Sequence, residues 1–355
     1  MTQLRSSLLE SDAQPYPVIP ALHPDSEWLR LYTEAPLEPD VPIIDAHHHL
    51  GDMAGGYFVE DLHADTSAGH NVVASVFVQC HYAHRTQGPE HLRPVGETER
   101  IAQLAVNAER HGLPLRVAAG IVGFADLTLG DDVEEVLQAH LEAGAGRFRG
   151  IRHITALANL VNISPLGRGR PPGLLLSETF RAGARRLQAH GLTFDAWVYH
   201  EQLGEVVEFA RALPGLAIVL NHVGGPLGAG PYAGRQDAVY ASWLEGMRAL
   251  ATCPNVHVKI GGMLMALSGL EFHRGGAPPS SVQLAATMKP WVLPALDLFG
   301  AKRCMFESNF PVEKAMTSYV VLWNAFKRLV TGASDDEKRL LFNETANSFY
   351  RLGVD

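Results

Sequence analysis

The sequence predicts an α/β fold, a distorted (β/α)8 TIM barrel with an irregular N-terminal arm, and three observations carry the barrel. Eight short apolar runs rich in β-branched residues recur along the chain; longer stretches with apolar residues three and four apart separate them; several runs end in histidine. That alternation belongs to a parallel sheet with crossover helices, and eight strands close a barrel. Length alone, 355 residues, suggests about two domains. One barrel of this type also fits, since such barrels run from about 200 to over 400 residues.

Residues 1–40 are dotted with proline and lack a periodic run, so they read as an arm packed on a barrel formed by residues 41–355. Strands are expected at Pro42 to Asp45, Val72 to Cys80, Leu115 to Val122, Phe148 to Ile154, Thr193 to Tyr199, Leu216 to Asn221, Val256 to Ile260 and Arg303 to Phe306. Helical spacing marks Thr98 to His111, Val133 to Ala143, Phe180 to Ala189, Leu203 to Ala212, Val239 to Ala251 and a stretch around Trp291 to Leu298. A last helix opens on the capping-box pair Ser334 and Glu337, with Asp335 and Asp336 adding favourable charge at its start. Two connections are long, Thr155 to Leu176 and Gly261 to Ser281. Both follow a strand, which puts them at the C-terminal face as candidate structureless lids. The first contains Gly167 to Gly173, whose Arg168 and Arg170 suit a solvated loop or an acidic substrate equally well.

The chain is 46% hydrophobic and 19% charged, which supports a packed core rather than disorder. Twenty-nine Lys and Arg against 38 Asp and Glu leave a net charge of −9, so a nucleic-acid or anionic-membrane partner is disfavoured. Apolar stretches such as Val72 to Val78 fall far short of the roughly 18 residues of a membrane span. The first twenty residues carry Glu10, Asp12 and prolines where a signal peptide needs an apolar segment, so a cytoplasmic location is expected. Cys80, Cys253 and Cys304 are odd in number and contain no CxxC, as reduced thiols would be.

The histidines carry the chemistry. The first run ends Asp45-Ala46-His47-His48-His49, and strand alternation sends His47 and His49 to one face, where two imidazoles can reach one metal. The fifth run ends in His200 and the sixth in His222, so three strands ending in histidine converge on the rim where barrels carry their sites. Neutral imidazoles bind zinc, and a catalytic zinc keeps a position open for a water of lowered pKa. A base must then take the water's proton, and the eighth run continues Glu307-Ser308-Asn309. Glu307 and Asn309 share a strand face, and of the two only Glu307 can act as a base. Arg152 ends the fourth run, its planar fork suited to a carboxylate or a developing oxyanion. Lys259 reads equally as a substrate contact or as half of an ion pair. His81, with His84 nearby, is a further candidate for the pocket wall. Trp197 and Tyr199 read as barrel filling, and His153 as facing the helix layer.

Ile44-Asp45-Ala46-His47-His48-His49, Gly150-Ile151-Arg152, Asn221-His222-Val223-Gly224-Gly225-Pro226, Val258-Lys259-Ile260-Gly261-Gly262 and Met305-Phe306-Glu307-Ser308-Asn309-Phe310-Pro311 resemble the amidohydrolase-related (amidohydrolase 2) branch of the amidohydrolase superfamily. That branch holds sugar-acid lactonases and pyrone-dicarboxylate lactonase, with aromatic-acid decarboxylases as more distant relatives. The resemblance spans about Pro42 to Leu352 and implies a distorted barrel that hydrolyses a small ester, lactone or amide. Relatives usually carry Asp, as metal ligand or base, where this chain has Asn309, and often Gly where it has Glu307. The carboxylate is therefore expected to have moved two residues along the same strand face.

The expected function is lactonase-like, metal-assisted hydrolysis of a carboxylic ester bond. His47, His49, His200 and Glu307 are the expected metal ligands, for zinc first, with manganese or a metal-free site as alternatives. His222, Glu307 and Asn309 are the expected catalytic residues, and Arg152, Lys259 and His81 the expected substrate contacts. The alternatives are non-oxidative decarboxylation of an aromatic acid and a binding protein on a decayed site. The expected partner is a small molecule; the surface gives no oligomer signal, and a homodimer stays open.

Overall fold

The computed structural model describes residues 19, 21–158 and 171–354. Arg168 and Arg170 lie outside the described residues. The described chain forms one eight-stranded sheet in sequence order, each strand parallel to the next. Its elements in order are α1 (Ser26–Leu29), β1 (Ile43–His48), α2 (Val59–Thr66), β2 (Val72–Val78), α3 (Val95–Arg110), β3 (Arg116–Gly123), α4 (Glu134–Ala143), β4 (Phe148–Ile151), α5 (Glu178–Ala189), β5 (Thr193–Ala196), α6 (Leu203–Ala212), β6 (Ile218–Leu220), α7 (Gln236–Ala251), β7 (Val256–Ile260), α8 (Ser281–Phe299), β8 (Cys304–Phe306), α9 (Tyr319–Leu329), α10 (Asp335–Arg339) and α11 (Thr345–Tyr350). This is a (β/α)8 barrel.

The seam between β8 and β1 is joined by the segment that follows β8. The Asn309 amide donates to the His47 carbonyl at 2.8 Å and the His49 amide to the Phe310 carbonyl at 2.8 Å. Asp45 braces the same seam, accepting from the Ser308 hydroxyl at 2.6 Å, the Ser308 amide at 2.9 Å and the Tyr319 hydroxyl at 3.0 Å. Strand alternation sorts the core into layers. Ile43 and Phe77 join the large cluster beneath the helices, whereas Ile44, Ala46, Val76, Val219 and Met305 fill the barrel with Phe349, Tyr350 and Leu352 of the C-terminal end. The pairing of β1 with β2 shifts register between Asp45 and His48. This bulge lets His47 share the inward side with Ala46, while His48 packs against Phe77.

Several expectations are corrected. β1 runs on through His48, and β5 stops at Ala196, so Trp197 to Tyr199 leave the barrel wall. The connection from Gly261 to Ser281 is not structureless, because it contains 3-10 turns at Ala266–Ser268 and Phe272–Arg274. Helix α8 starts ten residues before Trp291, at a Ser280/Gln283 capping box, and Pro290 and Pro294 inside it broke the helical signal. The expected Ser334/Glu337 capping box is present.

The chain before β1 is tethered to the same face. Trp28 Nε1 donates to the Gly275 carbonyl at 2.8 Å, and Glu34 accepts from the Ser281 amide and from Asn324 Nδ2, both at 2.8 Å. No helix among the described residues is long and apolar enough to cross a membrane.

Candidate functional site

Glu307, one residue past β8 and fully buried, is the centre of the site. Its Oε1 lies 2.6 Å from His222 Nδ1 and accepts from the His222 amide at 3.1 Å; its Oε2 lies 2.9 Å from His47 Nδ1 and has no hydrogen-bond donor. His222 reaches it by turning left-handed directly after β6, at φ 54°, a conformation a non-glycine residue holds only when its surroundings fix it. Two glycines after β7 make the space. A Cβ on Gly261 would stand 2.4 Å from Glu307 Cγ, and one on Gly262 would stand 2.1 Å from His222 Nδ1. Gly261→Ala is therefore expected to displace Glu307 and to destabilise the fold by about 1–3 kcal/mol in urea unfolding, with an unchanged far-ultraviolet circular dichroism spectrum.

A second buried pair supports His47. Lys259 Nζ donates to Asp195 Oδ2 at 2.7 Å and lies 3.3 Å from His47 Nδ1. Asp195, inward on β5, also accepts from Asn221 Nδ2 at 3.0 Å and from the Tyr350 hydroxyl at 2.9 Å. On the other side of the imidazole, Arg152 Nη1 lies 3.3 Å from His47 Nε2, and its Nη2 donates to the Gln79 carbonyl. Burial, Lys259 and His222 hold the His47 pKa well below the usual imidazole range, so the ring is neutral at pH 7.

Above this floor opens a cavity of about 320 Å³. His49, Arg152, His222 and Asn309 line it together with Ile154, Trp197, Tyr199, Met265 and Leu267, and Ile19 and Leu22, from the chain before β1, line it as well. Trp197 and the His222 ring pack edge-to-face with centroids 4.6 Å apart. Asn309 is buried at φ 52°, and its Nδ2 has no partner among the described residues. The Nε of Arg152 likewise has none.

A family model described as amidohydrolase matches residues 44–352 of this chain. The chain belongs to the amidohydrolase family. A protein of Sinorhizobium fredii named y4mH, described as uncharacterized, is 31% identical to this amidohydrolase over 88% of this chain and 99% of its own. An L-fucono-1,5-lactonase of Burkholderia ambifaria is 28% identical, covering 87% of this chain and 95% of its own. The fold is shared with an amidohydrolase of Burkholderia multivorans solved with bound zinc, at a TM-score of 0.67 and 24% identity, covering 87% of this chain and 99% of that one.

Within the amidohydrolase, His47, His222 and Glu307 form a group whose ligand atoms all lie within 4.8 Å of one another, and such a group could hold a metal ion. Two residues expected as ligands stand outside it. His49 packs edge-on against His47 at 4.9 Å, with Nδ1 2.7 Å from the Val78 carbonyl. His200 follows the chain out of the barrel after Ala196, and its ring packs against Tyr232 at 5.8 Å. Of the expected substrate contacts, Arg152 lines the cavity, while Lys259 lies beneath the floor, paired to Asp195. His81 is exposed and packs on Phe124 and His84, outside the cavity wall. Trp197 and Tyr199 line the cavity, a correction to their reading as barrel filling. His153 packs against Phe180 of the helix layer as expected.

The sequence reading missed Asp195 and Glu97. A lone carboxylate inside the apolar run Phe194-Asp195-Ala196 was the available signal for Asp195; its partner Lys259 stands two strands away and two residues beyond the register position, which is His257. Glu97, near the start of α3, accepts from the amides of Cys80 at 2.9 Å and Tyr82 at 2.8 Å, fixing the turn after β2. Its other oxygen has no donor, and burial pushes its pKa up to about 7 from a usual 4.5. Folded protein thus keeps a proton that the unfolded chain releases. The stability this contributes is complete below about pH 4.5 and is lost as the pH rises through about 7. Glu97→Gln is expected to remove that part of the slope, measured as the variant-minus-parent difference in urea unfolding free energy at about pH 5 and about pH 8.

Proposed function

We propose that this amidohydrolase opens a small lactone or related carboxylic ester with an activated water. The observation that carries the reading is the convergence of Glu307 with two imidazoles at the floor of a cavity whose wall presents Arg152 and Asn309. The donor set suits a divalent metal, with zinc first: two imidazoles and one carboxylate within ligand spacing, and a buried Glu307 Oε2 lacking any hydrogen-bond donor. His47, His222 and Glu307 would hold it, and when bound it would polarise the carbonyl and lower the pKa of a water.

The remaining work falls to the chain's own groups. The His222 amide and Nδ1 both engage Oε1, which fixes the carboxylate plane; Oε2, with one lone pair toward the ion it would help hold, keeps a second lone pair to accept the proton of the attacking water. Arg152 and Asn309, each with an unpartnered N–H, donate to the carbonyl oxygen as charge develops on it. Lys259 and Asp195 hold His47 in place from below.

The test is elemental analysis of protein purified without added metal, paired with hydrolysis of a lactone panel before and after chelation. About one zinc or manganese per chain, with activity lost on chelation and restored by metal, is the expected result. Unchanged lactone opening by metal-free protein removes the metal from the proposal and leaves Glu307, Arg152 and Asn309 as the working groups. No hydrolysis of any lactone or ester overturns the reading.

A further inference from the structure

The geometry points to a substrate with an apolar, aromatic-sized body rather than a polyhydroxylated one, an inference that rests on the hydrolase reading and names the class of substrate for its site. Sixteen described residues line the cavity, and the strongly polar side chains among them are His49, Arg152, His222 and Asn309. All four have places on the reacting side. His222 is bound to Glu307, His49 lies against the Val78 carbonyl, and Arg152 and Asn309 are the donors for the carbonyl oxygen. The rest of the described wall contains no Asp, Glu, Gln, Ser or Thr, and its other side-chain polar groups are the Tyr199 hydroxyl and the Trp197 N–H, each at the tip of a large aromatic body.

A sugar lactone such as the one in the name of the Burkholderia ambifaria relative carries hydroxyls around its ring. Each of these, placed against Ile154, Leu267 or Met265, would exchange water for hydrocarbon and stand unpaired, which is unfavourable. Sites that recognise hydroxyls place polar partners opposite them, and discriminate strongly by doing so. This wall offers instead an aromatic corner, Trp197 and Tyr199 with ring centroids 5.4 Å apart, faced by Met265 and Leu267. Aromatic rings pack edge-to-face in such corners, and methionine adapts to their outline. The volume, about 320 Å³, is roughly twice that of an apolar cavity that binds benzene, so a ring plus a lactone fits.

The experiment compares kcat/KM for two six-membered lactones, δ-valerolactone bearing a phenyl group on the carbon next to the ring oxygen and D-glucono-1,5-lactone, each normalised to its own spontaneous hydrolysis. The expected result is a preference of about 100-fold or more for the phenyl lactone, the size of a discrimination made by hydrocarbon contact and unpaired hydroxyls together. Equal rates, or a preference for the gluconolactone, overturn the substrate class while leaving the hydrolase reading intact. If neither lactone opens, the hydrolase reading is decided by the wider lactone and ester panel, and calorimetric titration with the two ring-opened acids decides the cavity's preference. Binding of the phenyl hydroxy acid without gluconate binding upholds the apolar class; gluconate binding as tightly or more tightly, or binding of neither acid, overturns it.

Discussion

Glu307→Gln is expected to lower kcat for lactone hydrolysis by about 10²–10⁴-fold, the usual worth of a positioned proton acceptor, with a much smaller change in KM. Gln fills the same volume, and its carbonyl can still accept from the His222 amide, which donates to Glu307 at 3.1 Å. What it removes is the negative charge that both imidazoles face, at 2.6 Å from His222 Nδ1 and 2.9 Å from His47 Nδ1. The amide nitrogen cannot take a proton from water. Steady-state kinetics on the variant, with its metal content and thermal midpoint measured beside the parent's, checks the prediction. Full activity in a folded variant would remove Glu307 from the chemistry and leave it as the residue that positions His222.

Asp195→Asn is expected to destabilise the fold by about 3–5 kcal/mol, because it leaves Lys259 as an uncompensated charge inside the barrel. Both side chains are fully buried, and the carboxylate also accepts from Asn221 and Tyr350. Urea unfolding of the variant measures the loss. Adding Lys259→Met to Asp195→Asn should recover part of it, since the double variant carries no stranded charge and methionine fills a similar space. If the single variant lost less than about 1 kcal/mol, the pair would be compensated by groups other than the ones it touches. Activity of the double variant should stay low, as His47 would lose the ammonium group beside Nδ1.

The eight strands were legible because each is a short apolar run with β-branched residues, and the barrel imposes that composition on strands buried on both faces. The helices were legible where the polar face is regular, as in Leu203–Ala212, which the spacing delimits to the residue. Where prolines interrupt the period the reading stopped short, and half of α8 was lost that way. In the candidate site, the residue types and strand ends could be read, but not which histidines meet. His200 and His222 both follow a strand. What separates them is the left-handed turn at His222 that folds it back onto Glu307, while the chain after β5 runs outward through Trp197 and Tyr199. The partner of Lys259 was likewise hidden, since pairing across two strands depends on barrel stagger rather than on spacing along the chain.

The bond from Tyr350 to Asp195 has a consequence for how the protein is made. Tyr350 lies in the last helix, and its hydroxyl engages both oxygens of the carboxylate that holds Lys259 beside His47. Synthesis delivers the chain from the N-terminus, so β1 to β7 emerge before the residue that completes their central ion pair. Until α11 docks, the barrel's inner apolar layer lacks Phe349, Tyr350 and Leu352, and its lower end stands open to water. Docking of α11 is therefore the step that both fills the inner apolar layer and completes the set of partners around the Asp195 and Lys259 pair beneath His47.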